Sequence, residues 1–227
     1  EFLRILEPAL PEKKEKLSIV DLGCGHAYLT FAAHQYLHKA GIDAKVIGVD
    51  VRENSRDRNN KIAQKLGITD SIEFRAEEIS DTAITSADIA IALHACDTAT
   101  DDAIAWGVLH NVPVLLIAPC CHHDLQTQMQ EIPEPWPMLT RHGIMRERLG
   151  DLLTDSFRTQ ILKLLGYRVD AIEFVGGEHT PRNLMIRAIK TGAKPDAIEV
   201  TRYKEMLAEW KVEPALAQRL AKELGAI

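Results

Sequence analysis

Apolar residues along this chain keep two alternating rhythms. Strand-length aliphatic runs recur at Ser18-Ile19-Val20, Lys45-Val46-Ile47-Gly48-Val49, Ser71 to Arg75, Asp88-Ile89-Ala90-Ile91-Ala92-Leu93 and Val112-Pro113-Val114-Leu115-Leu116-Ile117-Ala118. Between them, apolar residues return at helical spacing from about Ala27 to Ala40, Asn54 to Leu66, Ala99 to Trp106 and Leu149 to Leu165. Gly41, Gly67 and Gly166 stand as stops behind three of these segments. Strands alternating with helices predict a parallel sheet covered on both faces. Residues 2 to 7 read as a helix, Pro8 to Lys16 as a connector, and Pro133 to Pro137 as a loop or lid. Tyr167 to Val175 and Asn183 to Ile189 read as closing, hairpin-like strands. From Gly192 the pattern changes to two amphipathic helices, about Ile198 to Trp210 and Pro214 to Leu224. The expected domains are an α/β unit over residues 1–192 and a C-terminal helical appendage over 193–227.

A chain of 227 residues can bury a sizeable core. Its net charge of −6 argues against an extended basic nucleic-acid surface, though not against a local one or a partner domain that supplies it. The longest apolar runs are strand-sized, so neither a membrane span nor a secretory signal is expected. Four cysteines, two of them adjacent, do not resemble a disulfide framework, and a cytoplasmic location is the expectation. The chain starts at Glu1, and EFLRIL reads like the end of a helix already under way. An additional N-terminal domain missing from this sequence is therefore expected.

The chemistry is anchored at Val20 to Thr30, VDLGCGHAYLT, a strand that breaks into a glycine turn and then a helix. Gly23 and Gly25 let the backbone turn sharply and approach a ligand where a Cβ would clash. Asp50 ends the next strand 25 residues after Gly25, where an acid suits ribose hydroxyls. Asp21 at the end of the first strand would repel a phosphate but suits an ammonium group. The motif DLGCGHA, with alanine in the last glycine's place, resembles the first motif of class I S-adenosylmethionine-dependent methyltransferases. That resemblance implies a Rossmann-like, doubly wound, mostly parallel seven-stranded sheet and S-adenosylmethionine as cofactor. It implies Asp21, Gly23, Gly25, His26 and Asp50 as its contacts; Glu77 after the third strand is placed to meet the adenine edge, a place Glu78 or a backbone amide could take instead. Arg52, Arg56 and Arg58 read either as phosphate contacts or as a solvated helix face.

In open parallel sheets, ligands lie outside the carboxyl ends of the strands. There this sequence carries Leu93-His94-Ala95-Cys96-Asp97 and Pro119-Cys120-Cys121-His122-His123-Asp124. LHACDTATDDAI, APCCHHDL and GEHTPRNLMIRA resemble the methyltransferase-32-type domain family, and the first two are similar to tRNA ribose methylases of the acceptor stem. The resemblance implies methyl transfer to RNA, with a ribose 2′-hydroxyl as the acceptor, and His94 also at the cofactor. Transfer to oxygen needs a general base, for which His94 or His123 serves, oriented by a carboxylate such as Asp97 or Asp124. These histidines could instead cap helices or bond backbone at strand ends.

Zinc is the competing chemistry, but four consecutive residues cannot converge on one tetrahedral ion. A composite site joining Cys96 to Cys120 or Cys121 and a histidine is the remaining form, and no metal ligand is assigned. Cys121 at a helix start could be an activated thiolate, and adjacent cysteines are also simply small buried groups. Thr180-Pro181-Arg182-Asn183 reads as a late motif near the substrate mouth, or as a turn. Two rival functions stand beside the RNA reading. One is a methyltransferase for a small-molecule or protein acceptor, which the acidic charge favours. The other is an idle adenosylmethionine-binding scaffold.

Overall fold

The structure is a computed structural model and describes residues 1–11, 15–93, 95–173 and 183–227. Seven strands, β1 (Lys16–Leu22), β2 (Asp43–Asp50), β3 (Ile72–Ala76), β4 (Ile89–Ala92), β5 (Val114–Ile117), β6 (Tyr167–Glu173) and β7 (Leu184–Lys190), join in one sheet of order β3-β2-β1-β4-β5-β7-β6. The first five pair in parallel. β7 inserts antiparallel between β5 and β6, which makes the two closing strands the hairpin-like pair expected.

Side-chain alternation along the central strands explains why both faces are covered. Leu17 and Ile19 of β1, Ile89 and Ile91 of β4, and Val114 and Leu116 of β5 point into one apolar layer. There they meet α1 (Phe2–Leu6) and α2 (Tyr28–Lys39), and Ala63 of α3 (Glu53–Leu66) joins them. Their neighbours Val20, Leu22, Ala90, Ala92, Leu115 and Ile117 point the other way. That second layer is closed by α4 (Thr98–Leu109) and α7 (Gly143–Leu164). Full burial of each such side chain stabilises the fold by about 1.5–3 kcal/mol.

Three boundaries differ from the pattern reading. α7 starts at Gly143, two turns before the expected Leu149, because Ile144 and Met145 are exposed and lay down no buried stripe. A short helix α6 (Pro137–Thr140) starts at the last proline of the expected loop, where a fixed φ suits a first helical position. The last predicted helix is split at Leu220 into α9 (Ala215–Arg219) and α10 (Ala221–Leu224). α5 (His123–Gln128) follows the β5 loop, and α8 (Ala197–Trp210) opens the tail with Asp196 accepting from the Ile198 amide. Tyr203, Trp210, Leu216 and Leu220 of the tail are buried in the same layer as Ile104 and Trp106. No helix among the described residues is long and apolar enough to cross a membrane.

Candidate functional site

Crossovers leave β1 in one direction toward β2 and β3, and the chain returns on the other side at β4 and β5. The crevice outside the carboxyl ends of β1 and β4 is therefore the topological switch point. Gly23 and Gly25 stand there with φ of +78° and +54°. A Cβ at Gly23 would lie 3.1 Å from the Cβ of Ala95 on the β4 loop, so the backbones of the two loops meet only because this side chain is missing. Ala27, also left-handed at φ 57°, turns the chain into α2. From α3, the fully buried Asn59 donates to the Gly25 carbonyl at 3.0 Å.

A cavity of about 280 Å³ opens at this crevice, lined by Gly23, Asp50, Val51, Arg52, Glu78, Ile79, Ser80, Ala95, Cys96, Ala99 and Asp102. Its size approaches the lower end for small-molecule sites, which run from about 300 Å³. A larger hollow of about 440 Å³ lies between α2 and the α3–β3 turn, lined in part by Phe31, His34 and His38, apart from the glycine turn.

The two acids behave oppositely. Asp21 is buried beneath the turn; Thr30 donates to its Oδ2 at 2.5 Å, and Oδ1 finds no hydrogen-bond partner among the described residues. Burial pushes its pKa up to about 7, with Asp50 adding to the rise and the Thr30 hydroxyl opposing it. Burial would raise Asp50 as well. Hydrogen bonds from the Arg52 side chain and amide and from the Gly25 amide outweigh it and hold the carboxyl below its ordinary range. Arg52 N and Nε reach Oδ1 at 3.0 and 2.8 Å, while Gly25 N and Arg52 Nη2 reach Oδ2 at 2.9 and 3.0 Å. Four donors use all four acceptor positions of the carboxylate.

Other residues singled out from the sequence are placed as follows. His26 is exposed, its ring tilted against that of Tyr28 with centroids 5.8 Å apart, and in contact with Arg58. The Glu77 carboxylate accepts from Thr82 at 2.7 Å, and the neighbouring Glu78 lines the cavity. His94, like Thr180, Pro181 and Arg182, lies outside the described residues. Asp97 Oδ1 accepts the Asp124 amide at 3.1 Å, tying the β4 loop to the start of α5. His123 is exposed at the first position of α5, while His122 is buried with Nε2 2.9 Å from Asp155.

The β4 and β5 loops also bring Cys96, Cys120 and Cys121 together, with their sulfurs within 4.8 Å of one another. Burial, then the Cys96 and Cys121 thiols, push the Cys120 pKa up to about 12.

Two organising residues escaped the sequence reading. Arg158 of α7 is 1% exposed and clamps Asp101 of α4 at 2.9 and 2.8 Å, with Nη2 also 3.1 Å from the Asp97 carbonyl. Its signal was an arginine on the buried stripe Thr154, Phe157, Ile161. Asn59 likewise shares the buried stripe of a polar helix with Ala63.

A family profile described as a methyltransferase domain matches residues 1–128, which include the glycine turn, Asp50 and both histidine and cysteine loops. The match ends before the GEHTPRNLMIRA segment. A search of the curated proteins finds no match. Among solved structures, the chain is similar in fold to the CMeT domain of the citrinin polyketide synthase, with TM-score 0.51, 18% identity, and coverage of 86% of this chain and 51% of that one. It is similar to geranyl diphosphate C-methyltransferase from Streptomyces coelicolor A3(2), crystallised with S-adenosyl-L-homocysteine, with TM-score 0.51, 14% identity, and coverage of 83% and 79%. Magnesium protoporphyrin IX methyltransferase from Synechocystis PCC 6803 gives TM-score 0.50, 17% identity, and coverage of 84% and 79%. The chain thus spans about half of the polyketide synthase domain and most of the other two.

Proposed function

Because the chain belongs to this methyltransferase domain family, we propose that it uses S-adenosylmethionine and transfers the methyl group to RNA, at a ribose 2′-hydroxyl. The observation that carries the cofactor assignment is the unpartnered Oδ1 of Asp21, buried beneath a turn whose Gly23 lines the cavity. A buried acceptor without a partner costs about 1–3 kcal/mol, and the donor's ammonium would satisfy it. Asp50 would take the ribose hydroxyls once Arg52 yields its two side-chain contacts. Val51, 56% exposed, and Ile79 offer apolar surface to the adenine, with Glu77 or Glu78 at its edge. Fold neighbours crystallised with S-adenosylhomocysteine support the same reading.

Bound donor supplies a methyl group already activated on a sulfonium. What this chain adds is alignment of the acceptor and removal of its proton. We assign that proton to His94 or His123, with Asp97 as the orienting carboxylate. His122 is taken up between helices, against Asp155 and within 3.2 Å of Asp151. RNA is favoured by the resemblance of the His94 and Cys120-Cys121-His122-His123 segments to tRNA ribose methylases. A small-molecule or protein acceptor is the second reading, favoured by the net charge of −6.

The test is transfer of radiolabel from the donor into RNA, protein and metabolite fractions. Label in RNA is expected; label confined to the other fractions rejects RNA. Binding of donor with no transfer to any fraction favours the scaffold. His94→Ala and His123→Ala should between them remove about 10²–10⁴-fold of turnover while donor affinity stays near that of the parent. Normal turnover in both would remove the histidine base.

A further inference from the structure

We propose that Cys96, Cys120 and Cys121 form a zinc site on the rim of the donor cavity, with three thiolates supplied by the ends of two neighbouring strands. The three sulfurs lie within 4.8 Å of one another, and Cys96 Sγ is 3.2 Å from Cys120 Sγ. A tetrahedral zinc with bonds of about 2.3 Å holds its sulfurs about 3.8 Å apart. The Cys96–Cys120 separation is about 0.6 Å shorter than that figure and none of the three exceeds 4.8 Å, so metal entry asks for a small opening of that pair. The 3.2 Å separation is well beyond a disulfide bond.

The backbone beneath Cys96 has the stamp of a built site. Asp97 sits at φ 52°, ψ −124°, a region that costs a residue with a Cβ about 1–3 kcal/mol. The surroundings over-determine it. The Asp97 carbonyl accepts from Arg158 at 3.1 Å, its carboxylate from the Asp124 amide at 3.1 Å, and the Cys96 carbonyl from the Ala99 amide at 3.1 Å. Asp97 directly follows Cys96, which meets the Cys120-Cys121 pair across the β4–β5 boundary.

Thiolate-rich sites select soft cations, and zinc sites with three protein ligands keep a fourth position for water or substrate. Cys96 lines the donor cavity and is exposed, so that fourth position would border the cavity. Metal binding here does not depend on the methyltransferase reading and is read out without turnover.

The full chain, purified without chelator, should carry about one zinc per molecule by elemental analysis. Cobalt(II) added to the metal-free chain should give a thiolate-to-cobalt charge-transfer band. Cys96→Ser, Cys120→Ser and Cys121→Ser should each weaken zinc by more than about tenfold in competition with a chromophoric chelator, since even outer-shell changes cost that much. A cooperative thermal melt and an unchanged far-ultraviolet circular dichroism spectrum check that each variant folds. Less than half an equivalent of zinc together with no cobalt band overturns the proposal. So does unchanged zinc affinity in all three variants, or a Cys96–Cys120 disulfide in protein isolated under reducing conditions.

Discussion

At Asp21, burial and function pull against each other. Its pKa stands near 7 against an ordinary 3.8, so the folded chain holds this proton more tightly than the unfolded one. The stability contributed by that difference is complete below pH about 4 and is lost as pH rises through about 7. Asp21→Asn should flatten the fall in melting temperature across that window. A bound ammonium reverses the preference and expels the proton, so calorimetry at pH about 6.5 in two buffers of different ionisation heat should show proton release on donor binding. Equal observed heats in the two buffers, in the parent as in Asp21→Asn, would sink the ammonium assignment. At Asp50, the covering residue is Arg52, whose side chain is 59% exposed. Such a pair is worth at most about 1 kcal/mol, so Arg52→Ala should tighten the donor by up to about fivefold. A loss of affinity beyond tenfold would make Arg52 part of the grip rather than a cover.

Helix α7 does more than close the sheet, because Arg158 carries its register to α4 and to the β4 loop. The Arg158–Asp101 pair is almost without solvent, and deleting one partner strands a buried charge at a cost of about 3–5 kcal/mol. Arg158→Ala should lower the urea midpoint accordingly and loosen the loop bearing Cys96. Replacing both members with apolar residues, Arg158→Met with Asp101→Leu, should recover most of the loss. If the single variant costs under about 1 kcal/mol, the clamp is not what holds α7 to α4. The sequence shows this helix as an apolar stripe but shows Arg158 only as an irregularity on it, since its partner is 57 residues away.

Across the whole molecule, the tail and the sheet share one apolar layer. Trp210, Leu216 and Leu220 are buried with Ile104 and Trp106, and Arg219 pairs with Asp102 on the cavity wall. Three large side chains at about 1.5–3 kcal/mol each rival the entire stability of a typical domain. A chain ending at residue 192 should therefore lose its cooperative melt. A truncated form that melts sharply and binds donor would make residues 193–227 a separable appendage, as the change of pattern at Gly192 suggests.

Strand and helix periodicity, the glycine turn and the two acids were legible in the sequence because each depends on local spacing: period 2, period 3.6, and a backbone that only glycine adopts cheaply. Those same features carried the resemblance to methyltransferases. Sequence could not say which of Glu77 and Glu78 faces the cavity, that Arg52 saturates Asp50, or that His122 turns to Asp155 while His123 stays exposed. Nor could it show that Cys96 meets Cys120 and Cys121. Each of these is set by which way a side chain leaves the backbone and by contacts between strand ends far apart in the chain, and only the folded sheet decides both.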